Sequence, residues 1–363
     1  MSGIGQIDKN LMVSGTVQKE DLVYRNVRSR PFAVYGLLPD CEGAPFCRIP
    51  RDLAEKINPG VLRLYARTAG GRVRFQTDSS CVAIRAKMPQ KCLMPHMPFL
   101  GSSGFDLYAT EKGNSVYKGS FVPPIDRDDC FESLINFGSR KIRNVTIHFP
   151  LYDEVDALCV GVEHGAVLES GEQYRQMKPI LYYGSSITQG GCASRPGNCY
   201  TNIISRNLNI DHVNLGFSGS SKGEKLMAEY ISKQPMSLFV YDYDHNAPSV
   251  EHLNDTHERF FLTIREKNPD LPVILASRTD TPKTARIAEE TTRRRNVIMK
   301  TYENALKRGD KQICFIDGST IFDECAKLGA AADSCTVDGV HPNDLGFACM
   351  AHVFGSRIRE YLL

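Results

Sequence analysis

A short apolar segment that runs into small and hydroxylated residues is the part of the chain best suited to chemistry. Residues 180–183 are predicted to form a buried strand, and the sequence Gly-Ser-Ser-Ile-Thr follows at 184–188. In open α/β sheets, ligands bind beyond the carboxyl ends of the strands. A serine hydroxyl there becomes a nucleophile when a neighbouring base removes its proton. The pattern predicts that Ser186 is a nucleophile, with the cap of a following helix as its alternative role.

A candidate base lies near the carboxyl end of the chain, in the sequence Asp-Gly-Val-His at 338–341. His341 can accept the serine proton. Asp338 is three residues earlier, so in a turn its carboxylate can reach the imidazole, hold its tautomer and stabilise the imidazolium. As an alternative, both residues could belong to a loop that caps the last helix.

Ester hydrolysis also needs hydrogen-bond donors where negative charge develops on the carbonyl oxygen. We expect three such donors, which are the backbone N–H of Ser186, the backbone N–H of Gly219 and the side-chain amide of Asn246. Glycine suits the second position because it allows close approach of the backbone. Gly219 could instead be a simple turn residue, and Asn246 could open a turn or a helix.

From residue 179 onwards, strand patterns alternate with helical patterns. Strands are predicted at 180–183, 212–215, 237–241, 272–277 and 312–317, and helices at 200–208, 223–233, 250–267, 283–308, 320–328 and 343–362. This alternation is typical of a parallel sheet with helices on both faces. We predict a flavodoxin-like five-stranded parallel sheet over residues 179–363. The carboxyl ends of its strands bring Ser186, Gly219 and Asn246 to one edge.

Residues 1–170 have the pattern of an all-β domain, followed by a polar linker. Strands are predicted at 61–67, 72–75, 80–88, 104–110, 142–149 and 157–162, with one short helix at 50–57. Gly70-Gly71 separates the first two strands, which is typical of a hairpin turn. Many short strands without long helices indicate a β-sandwich or jelly roll.

The composition excludes several classes of protein. A net charge of +2 is too balanced to indicate binding to nucleic acid or to an anionic membrane. No apolar stretch approaches the ~18 residues of a membrane-spanning helix. Twelve cysteines are scattered without a Cys-x-x-Cys pair, which favours reduced thiols over a disulfide framework or a zinc site. Residues 1–10 lack the pattern of a signal peptide, so we expect a cytoplasmic protein, and we expect no metal or cofactor.

The segments that carry the candidate residues resemble, in this order, the sequence blocks of the SGNH, or GDSL, hydrolases. The first block of that family usually reads Gly-Asp-Ser-hydrophobic-Thr, and residues 184–188 are similar to it. The resemblance implies that Ser186 is the nucleophile and an oxyanion donor, and that Gly219 and Asn246 are the glycine and asparagine of the second and third blocks. The fifth block, Asp-x-x-His, corresponds to residues 338–341.

The chain departs from the family pattern at two places. Ser185 stands where an aspartate usually precedes the nucleophile. In the third block, which usually reads Gly-x-Asn-Asp, Asp244 takes the place of the glycine and Ala247 takes the place of the aspartate. The altered third block, together with Gly-Phe-Asp-Leu-Tyr at 104–108, resembles a two-domain subgroup. In that subgroup an N-terminal "GxDLY" jelly-roll-like domain precedes the SGNH domain.

The resemblance implies a serine hydrolase that acts on ester bonds. We expect removal of a small acyl group, acetyl, from a carbohydrate, through a Ser-His-Asp triad and an acyl-enzyme. Asp244 and Arg195 are expected to contact the substrate, although Arg195 could instead cover the linker. The alternatives are a thioesterase or lysophospholipase on the same fold, and a carbohydrate-binding protein without activity.

Overall fold

The computed structural model describes residues 12–38, 45–111, 113–126, 129–175, 177–279 and 285–363. Its first half contains the helices α1 (Arg51–Ile57), α2 (Pro59–Leu64) and α3 (Phe99–Ser103). The strands of this half are β1 (Leu22–Asn26), β2 (Ala33–Tyr35), β3 (Arg72–Thr77), β4 (Cys81–Lys87), β5 (Phe105–Glu111), β6 (Asn114–Phe121), β7 (Cys130–Asn136), β8 (Arg143–His148), β9 (Ala157–Glu163) and β10 (Leu168–Glu169).

These strands form two antiparallel sheets that share one apolar core. One sheet has the order β1-β9-β4-β7, and the other has the order β10-β3-β8-β5-β6, with β2 paired to β3. Side chains alternate between the faces of each strand, so Phe105 and Leu107 of β5 and Val160 of β9 point into the core and are fully buried. Two sheets packed over a common core make a sandwich. The predicted jelly-roll-like β fold of this half is confirmed.

The hairpin predicted around Gly70 and Gly71 is wrong in its first arm. Residues 61–67 contain most of helix α2, and only the second arm forms a strand, β3. Asn58 is the N-cap of α2, because its side chain accepts the backbone N–H of Val61 at 2.9 Å, and proline occupies the first helical position. Val61 and Leu64 are both buried one turn apart. The segment therefore fits a helical period through Val61 and Leu64 as well as an alternating one through Leu62, Leu64 and Ala66.

The second half alternates strands and helices. The strands are β11 (Ile180–Gly184), β12 (His212–Gly216), β13 (Leu238–Asp242), β14 (Val273–Ala276) and β15 (Ile313–Ile316). The helices are α4 (Ser186–Gln189), α5 (Tyr200–Leu208), α6 (Lys225–Ile231), α7 (Val250–Lys267), α8 (Ala285–Lys307) and α9 (Asp344–Leu362), with 3-10 helices at Pro196–Asn198, Asp244–Asn246, Gly318–Leu328 and Ala332–Cys335. The first residues of the helix predicted at 283–308 lie outside the described residues.

All neighbouring strands of this half are parallel, in the order β12-β11-β13-β14-β15. This is the strand order of a flavodoxin-like fold, and the predicted sheet is confirmed. β11 is central, and its side chains alternate between two buried clusters. Ile180 and Tyr182 belong to the cluster that contains α5 and α9 residues, whereas Leu181 and Tyr183 pack with α6 and α7 residues. Burial on both faces explains the continuous apolar run of this strand.

Asp106 of β5 joins the two halves. Phe105 and Leu107 face the sandwich core, so Asp106 faces the other way, where it is fully buried. Its carboxylate accepts the backbone N–H of Gly197 at 2.8 Å and the guanidinium of Arg195 at 2.9 Å, both from the loop that follows α4. The aspartate of the Gly-Phe-Asp-Leu-Tyr sequence is therefore a buried contact between the β half and the parallel-sheet half.

The described residues include most of the cysteines and the long helices, but not the first ten residues. The cysteines in the described parts of the chain are free thiols. In the same parts, no helix combines the length and the apolar character needed to cross a membrane. Residues 1–10, on which the predicted location depends, lie outside the described residues.

Candidate active site

Ser186 lies directly beyond the carboxyl end of the central strand, as the first residue of α4. The N-cap of this helix is the preceding residue, Ser185, whose Oγ accepts the backbone N–H of Ile187 at 3.2 Å. The capping role considered for Ser186 therefore belongs to Ser185, and the Ser186 hydroxyl stays available for another partner. Serine caps a helix about as well as aspartate does. Ser185, at the position of the family aspartate, therefore caps α4 in this chain.

The turn that precedes α9 brings a histidine to this serine. Ser186 Oγ and His341 Nε2 are 3.0 Å apart, and His341 Nδ1 is 2.8 Å from Asp338 Oδ2. The second carboxylate oxygen of Asp338 accepts the backbone N–H groups of Val340 at 2.9 Å and of His341 at 2.8 Å. The three side chains predicted from the sequence to act together therefore form one continuous hydrogen-bonded series.

The electrostatics of the turn keep Asp338 ionised. Partial burial alone would raise the pKa of its carboxyl group, but the N–H groups and the imidazole of His341, with the N–H of Val340, lower the pKa to about 2. A carboxylate on Nδ1 holds the proton of a neutral imidazole on that nitrogen. The lone pair of Nε2 is then directed at Ser186, as a general base requires.

Asp344 holds the loop after α4 against the histidine turn. Its Oδ1 accepts the backbone N–H of Ser194 at 2.9 Å, and its Oδ2 accepts the amide of Asn198 at 2.7 Å and the Ser194 hydroxyl. The backbone N–H of Cys192 also donates to the Pro342 carbonyl at 3.0 Å. Sequence reasoning missed Asp344. Its only local signal is an acidic residue in the first turn of a helix, which is common for reasons unrelated to function.

The two donors predicted on the neighbouring loops lie in contact with each other. Gly219 has a φ of +64°, in the left-handed region that favours glycine, and no described atom would lie within 4 Å of an added Cβ. Its N–H donates to Asn246 Oδ1 at 3.2 Å, and Asn246 Nδ2 donates to the Phe217 carbonyl at 2.9 Å. An amide nitrogen carries two hydrogens, so Asn246 has a second N–H for another acceptor. The N–H of Gly219 must give up its hydrogen bond to Asn246 before it can donate to that other acceptor.

The two residues expected to contact the substrate have other partners. The guanidinium of Arg195 donates to the buried Asp106 and to the hydroxyl of Tyr108. Asp244 is fully buried, and its Oδ2 accepts the backbone N–H of Arg278 at 3.0 Å. The Arg195 side chain is still 20% exposed, whereas Asp244 has no exposed surface. Both residues therefore have a structural role in holding loops, and their contact with a substrate stays a prediction.

One histidine of the β half reaches this site, and sequence reasoning missed it. The ring of His96 is exposed, and its centroid lies 5.6 Å from that of the His341 ring, with the two planes inclined by 55°. His96 belongs to the segment between β4 and α3. The Met-Pro-His-Met-Pro sequence of this segment indicates a loop, and no periodic pattern relates it to a residue so far along the chain.

Comparisons with known families match both halves of the chain. The GDSL-like Lipase/Acylhydrolase family matches residues 177–359. The family called GxDLY, described as the N-terminus of SGNH-hydrolase-type esterases, matches residues 22–168. No protein of curated function matches this sequence.

Several solved structures are similar over almost the whole chain. A structure described as a GDSL-like lipase from Bacteroides ovatus ATCC 8483 has 28% identity and a TM-score of 0.83, covering 94% of this chain and 98% of that one. The salicylyl-acyltransferase SsfX3 from a tetracycline biosynthetic pathway has 20% identity and a TM-score of 0.75, covering 94% and 97%. The acetyl xylan esterase Est2A from the rumen bacterium Butyrivibrio proteoclasticus has 13% identity and a TM-score of 0.55, covering 94% and 98%. The family matches show that this chain belongs to the GDSL-like lipase/acylhydrolase family, with a GxDLY domain at its N-terminal end, and that it is an ester-hydrolysing enzyme.

Proposed function

We propose that this enzyme is a serine esterase that removes a small acyl group, acetyl, from a carbohydrate. The observation that supports the proposal most directly is the hydrogen-bonded series of Ser186, His341 and Asp338. Its two links measure 3.0 Å from Ser186 Oγ to His341 Nε2 and 2.8 Å from His341 Nδ1 to Asp338 Oδ2. A nucleophile, a base and a group that orients the base within hydrogen-bond reach are the geometry that nucleophilic catalysis requires.

In the first half of the reaction, Ser186 Oγ attacks the ester carbonyl carbon while His341 Nε2 accepts the hydroxyl proton. Asp338 stabilises the imidazolium that results. The tetrahedral intermediate then collapses, the bond between the carbonyl carbon and the alcohol oxygen breaks, and His341 returns its proton to that oxygen. The alcohol leaves, and the acyl group remains as an ester of Ser186.

In the second half, water takes the place of the alcohol. His341 accepts one proton from the water as its oxygen attacks the acyl carbon, and then returns the proton to Ser186 Oγ as the acyl-enzyme bond breaks. The products are the free acid and the regenerated serine.

The negative charge on the carbonyl oxygen needs donors in both halves. The N–H groups of Ser186 and Gly219 and the side-chain amide of Asn246 are assigned to this role. Gly219 donates to Asn246 at 3.2 Å in the absence of substrate, and the oxyanion would replace that neutral acceptor with a charged one. Removal of one such donor typically costs about 2.7–4 kcal/mol of transition-state stabilisation.

Two observations support the choice of a small acyl group and a polyhydroxylated alcohol. The residues beside the serine on the neighbouring loops are small or polar, namely Ser218, Gly219 and Asn246. The acetyl xylan esterase Est2A shares the overall fold. A thioesterase or lysophospholipase would need room for a long apolar chain. Because one similar structure is an acyltransferase, transfer of the acyl group to an alcohol instead of water is also measured.

Labelling with a fluorophosphonate probe tests the assignment of the nucleophile. Wild type should be labelled, and Ser186→Ala should not be, because the probe reacts with an activated serine. Labelling of Ser186→Ala would remove this residue from the mechanism, and an unlabelled wild type would favour a carbohydrate-binding protein.

Turnover then tests the substrate class. p-Nitrophenyl acetate should be hydrolysed faster than the eight-carbon ester, and acetate should be released from acetylated sugars. Faster turnover of the eight-carbon ester would support the lipid-side alternative. Formation of a new ester with an added alcohol, in place of free acid, would indicate an acyltransferase.

A further inference from the structure

The proposed chemistry places the two parts of the substrate on different sides of Ser186. His341 must return its proton to the leaving alcohol, so the alcohol oxygen has to come within hydrogen-bond reach of His341 Nε2. The carbonyl oxygen lies towards Gly219 and Asn246, on the loops after β12 and β13. A side chain that contacts the His341 ring is therefore a neighbour of the alcohol rather than of the carbonyl oxygen.

His96 is such a side chain, and it comes from the β half of the molecule. Its exposed ring lies with its centroid 5.6 Å from that of His341. A neutral imidazole offers one N–H donor and one nitrogen acceptor. This pair of groups suits a hydroxyl, which both donates and accepts a hydrogen bond.

The segment that carries His96 is held in place by both halves of the chain. Ser102 Oγ donates to the Cys92 carbonyl at 2.7 Å, and Met97 is buried. Gly101 packs so closely on the loop after α4 that an added Cβ would lie 2.1 Å from the Ala193 carbonyl oxygen. The position of the segment relative to the serine is therefore defined by packing across the junction of the two halves.

We infer that His96 forms a subsite for the alcohol part of the substrate, where it hydrogen-bonds the hydroxyl groups of a polyhydroxylated leaving group. This inference rests on the proposed esterase function. It assigns the recognition of the alcohol to the β half and the recognition of the acyl group to the parallel-sheet half.

Two series of esters separate the two kinds of recognition. In the first series the acyl group is always acetyl, and the alcohol changes from p-nitrophenol to a monosaccharide and a disaccharide. In the second series the alcohol is always p-nitrophenol, and the acyl chain has two, four or eight carbons. Wild type, His96→Ala and His96→Gln are compared by kcat/KM. His164→Ala is the matched control, because His164 is also an exposed histidine of the β half, in the turn after β9.

A lost neutral hydrogen bond is worth about 0.5–1.5 kcal/mol, which corresponds to about a 2- to 12-fold change. His96→Ala should lower kcat/KM for the acetylated sugars by about that factor relative to p-nitrophenyl acetate. The ratios within the acyl series should keep their wild-type values. His96→Gln should retain part of the preference because its amide also donates and accepts, and His164→Ala should match wild type.

Two results would overturn the subsite. One is an equal effect of His96→Ala on every alcohol, including no effect. The other is a change in acyl-chain preference. If wild type is neither labelled by the fluorophosphonate nor active on any ester, the proposed function fails instead, so the two failures can be told apart.

Discussion

Two aspartate–histidine pairs with the same short contact lie in very different surroundings. Asp338 and His341 are joined at 2.8 Å through Nδ1, and so are Asp106 and His148. In the first pair the side chains of the histidine and aspartate are 24% and 41% exposed. In the second pair they are 1% and 0% exposed. The contact between carboxylate and imidazole is therefore shared, and the surroundings of the remaining ring nitrogen are what differ.

The second pair shows what burial does to a histidine. Burial lowers the pKa of His148 to about 4, against the opposing effect of Asp106, so this ring is neutral at pH 7. Its Nε2 is buried and has no hydrogen-bond partner among the described residues. Burial acts to raise the pKa of Asp106, yet the contact with His148, together with the guanidinium groups of Arg206 and Arg195, holds it below its usual value.

The comparison indicates which feature makes such a pair a base. His341 presents Nε2 to the hydroxyl of Ser186 at a partly exposed site. A protonated His148 would itself be a buried cation, which burial disfavours. Its pair with Asp106 therefore serves to position side chains at the junction of the two halves. An aspartate–histidine pair in a sequence or structure is therefore a candidate base only when the second nitrogen faces a reactive group.

The largest expected effect is the loss of activity on removal of the nucleophile or the base. Ser186→Ala and His341→Ala should each lower kcat by about 10⁴- to 10⁶-fold, because residues that act as one unit fail together. Hydrolysis of p-nitrophenyl acetate measures the loss, and an unchanged melting temperature serves as the control. Full activity in His341→Ala would contradict the contrast between the two pairs.

A smaller loss is expected when only the orienting carboxylate is changed. Asp338→Asn should lower kcat by about 10²- to 10⁴-fold, since the serine and the base remain but the tautomer is no longer held. The same assay measures this loss. A variant less active than Ser186→Ala would mean that Asp338 does more than orient the base.

The matching change in the buried pair, Asp106→Asn, should lower the stability of the fold and leave the proposed base, His341, in place. Asp106→Asn removes the charge that faces Arg195, and breaking a buried pair typically costs about 3–5 kcal/mol. Urea denaturation measures the free energy of unfolding. Asp156→Asn is the control, because Asp156 forms a more exposed ion pair with Lys87 at 3.5 Å and should cost about 1 kcal/mol or less.

Reaction with a fluorophosphonate distinguishes this effect from damage to the base. Folded Asp106→Asn should still be labelled at Ser186 well below its melting temperature. If the folded variant loses labelling while its free energy of unfolding is unchanged, the two pairs do not have separate roles.

The smallest expected effect is on the pH dependence of stability. The folded pKa of His148 is about 4, below the usual 6.5, so between these values the unfolded chain binds a proton that the folded chain does not. The stability of the wild type should therefore fall as the pH drops from about 6.5 to about 4. The stability of His148→Gln should fall less steeply over the same range. Thermal melts across this range provide the measurement, and identical profiles would show that His148 contributes nothing to the acid sensitivity.

The residues that meet at Ser186 could be predicted because each follows a recognisable local pattern. The buried strand before Ser186 and the spacing of Asp338 and His341 are visible in the sequence itself, and parallel strands must end at one edge. His96 and Asp344 could not be predicted in this way. Their partners lie on other elements, and an acidic residue in a first helical turn or a histidine in a loop does not indicate such partners.

Two other parts of the chain show where local patterns are ambiguous. The apolar residues at 61–67 satisfy both an alternating and a helical period, and the cap at Asn58 decides for the helix. The Gly-Phe-Asp-Leu-Tyr sequence could be recognised, but the role of Asp106 depends on donors supplied by the loop after α4. Contacts of this kind become visible only when both halves of the chain are in place.

The aspartate at the junction also limits how this enzyme can be divided or recombined. Separating the two halves at the linker, 170–178, would leave Asp106 without Arg195 and Gly197, and would expose to water a carboxylate and a guanidinium that now neutralise each other. Chimeras that exchange the N-terminal half between relatives must therefore keep this aspartate and arginine as a matched set. Libraries that shuffle the two halves freely should yield mostly unstable proteins.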